Sequence, residues 1–160
     1  LSVAAGARAD FSGYYDHSNW YLYSEGDGYV ATATPSTLIL VGDNSGWGGY
    51  TDYIIAIEQD GILSFDWSYF SIDDPGFDYA SYYAGGMDNF LSDASGESGS
   101  VSIAVTAGEL FAFTVYSEDG WLGAGELTIT NFNVEPVPEP ATMAVLGLGA
   151  AALVRRRRSK

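Results

Sequence analysis

The stretch GILSFDWSYF, residues 61–70, alternates with a period of two: Leu63, Phe65, Trp67 and Tyr69 fall on one side, Ser64, Asp66 and Ser68 on the other. A strand points successive side chains to opposite faces, so this is the pattern of a half-buried β-strand. Segments 52–59, 101–105, 110–116 and 125–132 alternate likewise, with weaker examples at 37–41 and 77–83, and Asp60-Gly61 reads as the turn of a hairpin joining 52–59 to 61–70. No window of about a dozen residues in the body sustains a helical period. The chain holds 20 Gly, 12 Tyr, 8 Phe and 4 Trp, which suits strands and turns, and no Cys, so no disulfide staples it. The expected body is all-β, about eight to ten short strands in a two-sheet antiparallel sandwich of jelly-roll type. The loops SEGDG, GDNSGWGG and SDASGESGS read as polar connectors within one domain.

Charge divides the chain more sharply than hydropathy does. The six basic residues are Arg8, Arg155, Arg156, Arg157, Arg158 and Lys160, while all 21 Asp and Glu lie within residues 10–140. A body without Lys or Arg has nothing to neutralise phosphates, which excludes nucleic acid as its partner. The opening LSVAAGARA is apolar and small and ends in Ala7-Arg8-Ala9, as the tail of a secretory signal peptide does. Residues 141–154 carry no charge and, as a helix, would span about 21 Å of a hydrocarbon core about 30 Å thick. The four arginines that follow lengthen that reach by snorkelling and hold their end on the cytoplasmic side. The expected organisation is a signal-peptide remnant at 1–9, a β-sandwich at 10–133, a linker at 134–140, a transmembrane helix at 141–154 and a basic cytoplasmic tail at 155–160.

Pro138-Glu139-Pro140, the Gly-, Ala- and Leu-rich run after it and the terminal cluster Arg155, Arg156, Arg157 and Arg158 resemble the PEP-CTERM sorting signal of Gram-negative bacteria. The resemblance implies recognition by exosortase, a membrane cysteine protease. It also implies export across the inner membrane, a transient membrane anchor, and association with extracellular polysaccharide and biofilm at the cell surface or in the matrix. An ordinary tail anchor would explain the apolar run and the arginines, but not the Pro-Glu-Pro triplet.

Within the body, FDYASYYAGG and the later FTVYSEDGWLGAGELTITNF resemble the ends of a CUB-like sandwich, although such extracellular domains usually carry disulfides. The resemblance implies calcium ligands at Asp78 and Asp119, with Asp73 or Asp74 completing an oxygen shell, and Ca²⁺ as the implied cofactor. Independently, SIDDPGFD concentrates three carboxylates, and hard cations prefer oxygen ligands. Solvated turn aspartates are the alternative.

Catalysis has few ingredients. His17 is the only histidine, so a Cys/His pair and a His/Cys metal site are both ruled out, and a Ser/His/Asp set would depend on that one ring. Glycoside hydrolysis needs only two suitably spaced carboxylates, which a chain this acidic supplies by chance. The aromatics Trp20, Trp47, Tyr50 and Trp121, with Tyr21 and Tyr23, fall in or beside expected loops, where a flat ring stacks on the apolar face of a sugar. The expected role is therefore a non-enzymatic surface or matrix protein, structural, adhesive or polysaccharide-binding. A secreted glycan-acting hydrolase and a calcium-dependent lectin are the alternatives.

Overall fold

The computed structural model describes residues 10–137. The expected signal-peptide remnant, transmembrane helix and basic tail lie outside these residues, as does the Pro-Glu-Pro triplet. Ten strands form: β1 (Tyr21–Ser24), β2 (Tyr29–Thr34), β3 (Thr37–Val41), β4 (Gly49–Ala56), β5 (Gly61–Phe70), β6 (Asp78–Ala84), β7 (Met87–Ser92), β8 (Ser98–Val105), β9 (Leu110–Ser117) and β10 (Glu126–Pro136). They pair antiparallel in two sheets, β1-β4-β9-β6-β7 (the first sheet) and β2-β3-β10-β5-β8 (the second). Without β1 and β2, the orders β4-β9-β6-β7 and β3-β10-β5-β8 are those of an eight-stranded jelly roll. The first two strands each extend one edge of it.

The alternation in the sequence becomes sidedness in the sandwich. Leu63, Phe65 and Tyr69 of β5 are buried on one inner face with Leu127 and Ile129 of β10 and Leu38 and Leu40 of β3, opposite Phe111, Phe113 and Val115 of β9. In β10 the register slips between Thr130 and Asn133, and Asn131 takes φ 52°. Asn tolerates that conformation, and the bulge turns Phe132 inward, where it stacks on Phe11 with ring centroids 4.8 Å apart. Phe11, Tyr15 and Trp20, carried on the N-terminal segment and its two single 3₁₀ turns, thereby plug one end of the core.

Two expectations change. Asp60-Gly61 is not a hairpin, because β4 lies in the first sheet and β5 in the second. Its polar groups are met elsewhere: the Asp60 carboxylate accepts from the Ala107 N–H at 2.9 Å and its carbonyl from Val137 at 3.2 Å. Two-residue hairpins instead join β2 to β3 at Pro35-Ser36 and β6 to β7 at Gly85-Gly86, where φ of 61° and 80° suits the twist of the flanking strands. The domain also runs further than expected, since β10 continues to Pro136 into residues assigned to the linker.

Candidate functional site

The outward face of the first sheet carries tyrosines where a solvated face would carry small polar side chains. Tyr50 of β4 pairs with Tyr116 of β9, and Tyr116 with Tyr79 of β6, so the three lie in one row across the strands. Their rings touch: Tyr50 and Tyr116 centroids are 4.7 Å apart, Tyr116 and Tyr79 4.9 Å, and Tyr79 and Phe90 of β7 5.9 Å. The result is a ribbon of four rings across four strands, with Phe90 62% exposed at one end and Tyr50 36% exposed at the other. Tyr116 donates its hydroxyl proton to Glu118 at 3.0 Å, which fixes the central ring. That bond, followed by burial, holds the Tyr116 phenol above its usual range, and burial does the same for Tyr79. Both hydroxyls therefore stay protonated and able to donate at neutral pH.

Beside the ribbon lies a depression of about 340 Å³, lined by Tyr50, Asp52, Ile54, Tyr83, Asp88 and Leu110 with Ala112 and Thr114. Ala112 and Thr114 face outward yet are buried, because the neighbouring side chains stand over them. Thr114 donates to Asp52 at 2.7 Å. Burial lifts the Asp52 carboxyl above the usual carboxylate range; the Thr114 bond opposes this, and the charges of Asp88 and Glu25 reinforce it.

A second concavity lies where β4 begins and β9 ends, an arrangement fixed by the pairing of Gly49 with Ser117. Asn44, Ser45, Gly46, Trp47, Gly120, Trp121 and Leu122 line this cleft of about 420 Å³. Trp47 and Trp121 are 79% and 61% exposed. Its two loops are tied together: the Gly46 N–H donates to the Gly120 carbonyl at 2.9 Å and the Gly123 N–H to Asn44 Oδ1 at 3.1 Å. Gly120 has φ 65°, and a Cβ there would stand 2.5 Å from the Trp47 carbonyl oxygen, so glycine is what lets the loops close.

Of the expected sugar-contact residues, the structure thus brings Trp47 and Trp121 together, with Tyr50 at the same end of the sheet. Trp20 is corrected. It is 8% exposed, stacked on Tyr53 at 5.0 Å and Phe113 at 5.8 Å, with its indole N–H donated to the Tyr15 carbonyl at 3.0 Å. The N-terminal segment folds back over the core instead of forming a loop. Tyr79, Tyr83, Tyr116, Phe90, Asp52 and Asp88 were missed, although in β6 and β9 a period-two reading puts the tyrosines opposite the core residues. His17 packs as well: its ring stacks on Phe11 at 4.4 Å, Nε2 donates to the Thr34 carbonyl at 2.8 Å, and Nδ1 lies 3.1 Å from the Tyr53 hydroxyl.

The expected calcium ligands are only partly gathered. Asp78 is 1% exposed, with Oδ2 accepting from Ser71 at 3.1 Å. Its Oδ1, like Asp73 Oδ2 and the Tyr69 hydroxyl, is buried without a hydrogen-bond partner. Asp119 accepts from the Trp121 N–H at 2.9 Å, and Asp74 is exposed. Among the described residues no three or more His, Cys, Asp or Glu side chains form a ready metal cluster. Burial raises the Asp78 carboxyl against the opposing influence of the nearby Ser117 and Ser71 hydroxyls, and the charges of Asp73 and Asp119 raise it further.

These shifts set a pH dependence. Asp52 and Asp78, raised in the fold, contribute stability that is complete below the ordinary Asp value of about 3.9 and is lost as pH climbs through their raised values. Asp16 and Asp66 are lowered, Asp16 by bonds from Ser18 and Asp66 by bonds from Ser100 and Asn131; Asp43 is lowered because bonds from Asp27 and Ser45 outweigh its burial. Their contribution is present above the ordinary value and lost as pH falls through the lowered ones. The melting temperature should therefore be higher at about pH 5 than at pH 7 and fall again below about pH 4. A curve that declines steadily from neutral pH downward would refute this balance.

A family model described as the PEP-CTERM protein-sorting motif matches residues 136–158. The chain therefore carries that motif, which marks proteins exported and sorted to the cell surface by exosortase with a transient membrane anchor. No curated protein matches the chain. Among solved structures it is similar to the secreted serine protease VesC from Vibrio cholerae, at 12% identity and TM-score 0.48, over 74% of this chain and 25% of that one. It is similar to a sialidase at 13% identity and TM-score 0.49, over 82% of this chain and 18% of that one. A family 29 carbohydrate-binding module complexed with cellulohexaose is similar at 13% identity and TM-score 0.42, over 73% of this chain and 80% of that one. The chain thus spans a quarter of the protease chain and under a fifth of the sialidase chain.

Proposed function

We propose that the body is a non-enzymatic polysaccharide-binding module of a surface or matrix protein, and that its adhesive role in biofilm follows from holding an extracellular glycan. The observation that carries this reading is the ribbon Tyr50, Tyr116, Tyr79 and Phe90 laid across the first sheet beside an open depression. Rings exposed on a sheet match the apolar faces of successive sugars, while Asp52, Asp88 and the tyrosine hydroxyls supply bonds to sugar hydroxyls. Trp47 and Trp121 extend the contact at the end of β4 and β9. The domain assignment follows: the sandwich works outside the cell and residues 138–160 serve delivery, with Pro138, Glu139, Pro140 and the arginines as the recognised features. Incubating the protein with host extracellular polysaccharide tests the reading. Retention without new reducing ends supports it; steady release of reducing ends would make Asp52 and Asp88 candidates for a hydrolase pair and overturn it.

A second reading concerns calcium. The orphaned oxygens Asp78 Oδ1 and Asp73 Oδ2 fit a hard cation, with Asp119 beside them, whereas Asp74 is exposed. A bound Ca²⁺ would neutralise the Asp78 charge and tie the 71–78 loop to the end of β9. Moving from chelator to millimolar Ca²⁺ should then raise the melting temperature by several degrees, since a ligand at about 100 times its Kd stabilises the fold by about 2.7 kcal/mol. Asp78→Asn should abolish the shift while raising stability in chelator at neutral pH. A wild-type melting temperature indifferent to Ca²⁺ would sink the site.

A further inference from the structure

The depression on the first sheet has a chemistry that narrows its ligand, and this step rests on the polysaccharide-binding reading above. Its two carboxylates, Asp52 and Asp88, lie among the tyrosine rings Tyr50 and Tyr83. Between Arg8 and Arg155 the chain contains neither Lys nor Arg, so no basic side chain of the described residues offsets either acid. Asp52 is tied on one side to the Thr114 hydroxyl, a neutral donor. Glu25 and Glu118 stand around the ribbon: Glu25 accepts from the Tyr50 N–H at 3.0 Å and Glu118 from the Tyr116 hydroxyl.

An anionic polysaccharide would bring its charge against four carboxylates on a chain of net charge −15, and repulsion would oppose every sugar bound. An uncharged one would stack on the rings but leave the paired acids of the depression uncompensated. A sugar bearing a protonated amine meets both demands. Its ring stacks on tyrosine, and its ammonium sits between carboxylates and the negative faces of Tyr50 and Tyr83.

We infer that the depression formed by Tyr50, Asp52, Tyr83 and Asp88 selects a polysaccharide with free amino groups, a deacetylated hexosamine polymer, over neutral and acidic glycans. Stacking supplies contact that any β-linked glycan shares, and the two acids supply the preference. The preference is consequently electrostatic and falls as salt screens it.

The test compares the full chain on four probes at about pH 6, where a glucosamine amine is largely protonated: chitosan, its fully acetylated counterpart chitin, cellulose and alginate. Chitosan should be bound about ten-fold or more tightly than chitin at low salt, with the margin shrinking toward unity near 0.5 M salt, about the regime where the screening length drops below 5 Å. Any acidic protein attracts a polycation, so the deciding comparison is between variants of equal charge. Asp52→Asn with Asp88→Asn should erase most of the preference, lowering chitosan binding far more than chitin binding. Glu126→Gln with Glu135→Gln, on β10 of the other sheet, should keep the preference. Equal affinity for chitosan and chitin, or the same loss in both double variants, would overturn the inference and leave glycan binding intact. Binding to none of the four would overturn the glycan reading itself.

Discussion

Replacing Tyr116 by Ala is expected to weaken polysaccharide binding about 30- to 150-fold, the consequence of losing an aromatic anchor worth about 2–3 kcal/mol at the centre of a contact surface. Tyr116 is the middle of the ribbon, touching Tyr50 on one side and Tyr79 on the other, so its removal opens a gap no neighbour fills. The ring is only partly buried, and the fold should lose about 1–2 kcal/mol, a drop of about 4–8 °C in melting temperature for a domain of this size. Binding measured well below that temperature then reports on contact alone. Tyr116→Phe keeps the ring and gives up the bond to Glu118, so it should bind within about three-fold of the native chain. Equal, large losses in the Ala and Phe variants would mean that the hydroxyl, and not the stacking surface, carries recognition. Affinity elution against the host polysaccharide measures all three proteins under one condition.

The same experiment separates the two concave surfaces. With Trp47 and Trp121 both changed to Ala, a loss smaller than that from Tyr116→Ala would make the ribbon the principal contact and the loop cleft its extension. A larger loss in the tryptophan variant, with Tyr116→Ala near native, would transfer the proposed site to the cleft. The Tyr50–Tyr116 pair of the ribbon lies next to the pairing of Gly49 with Ser117 that fixes the cleft, so one glycan chain reaching from ring to ring is consistent with sensitivity at both.

What the sequence disclosed of this arrangement follows from burial. The strands read from alternation, β3 to β6 and β8 to β10, each pack a face against the core, and a buried face is what imposes a period of two. The strands that went unread, β1, β2 and β7, are all at sheet edges and are largely exposed. With little beyond Val30 and Leu91 packed against the core, their side chains carry little pattern. The hairpin at Asp60-Gly61 was misjudged for a related reason: a turn dipeptide reports that the chain bends, whereas only long-range pairing decides whether the next strand joins the same sheet. In the candidate site, exposed aromatics in loops could be found one at a time, as Trp47 and Trp121 were. Tyr79, Tyr83 and Tyr116 needed a comparison between strands: the central outward positions of β5 are Ser64, Asp66 and Ser68, while those of β6 and β9 include tyrosines. That contrast is present in the sequence, but it acquires meaning only once register sets Tyr50, Tyr116 and Tyr79 in a row.

Trp20 shows how far a local reading of an aromatic can miss, and its replacement separates the two roles. Trp20→Ala is expected to destabilise the fold by about 3–5 kcal/mol, the range for truncating a large buried aromatic, and to lower the melting temperature by about 10–20 °C. The cost has three sources: a cavity among Phe11, Tyr53, Phe113 and Phe132, loss of the stacked contact with Tyr53, and a Tyr15 carbonyl left without its indole donor. Trp20→Phe refills most of the volume and forfeits the hydrogen bond, so it should cost about 1–2 kcal/mol. Neither variant touches the ribbon, and polysaccharide affinity measured on the folded protein below its transition should stay within about two-fold of native. Thermal denaturation followed by circular dichroism, paired with that affinity, decides the matter. An Ala variant that melts like the native chain but no longer binds would return Trp20 to the surface and with it the N-terminal segment that places Phe11 on Phe132. The steep loss of stability expected instead would make residues 11–20 an integral wall of the core, so that the sandwich is complete only when its N-terminal plug is in place.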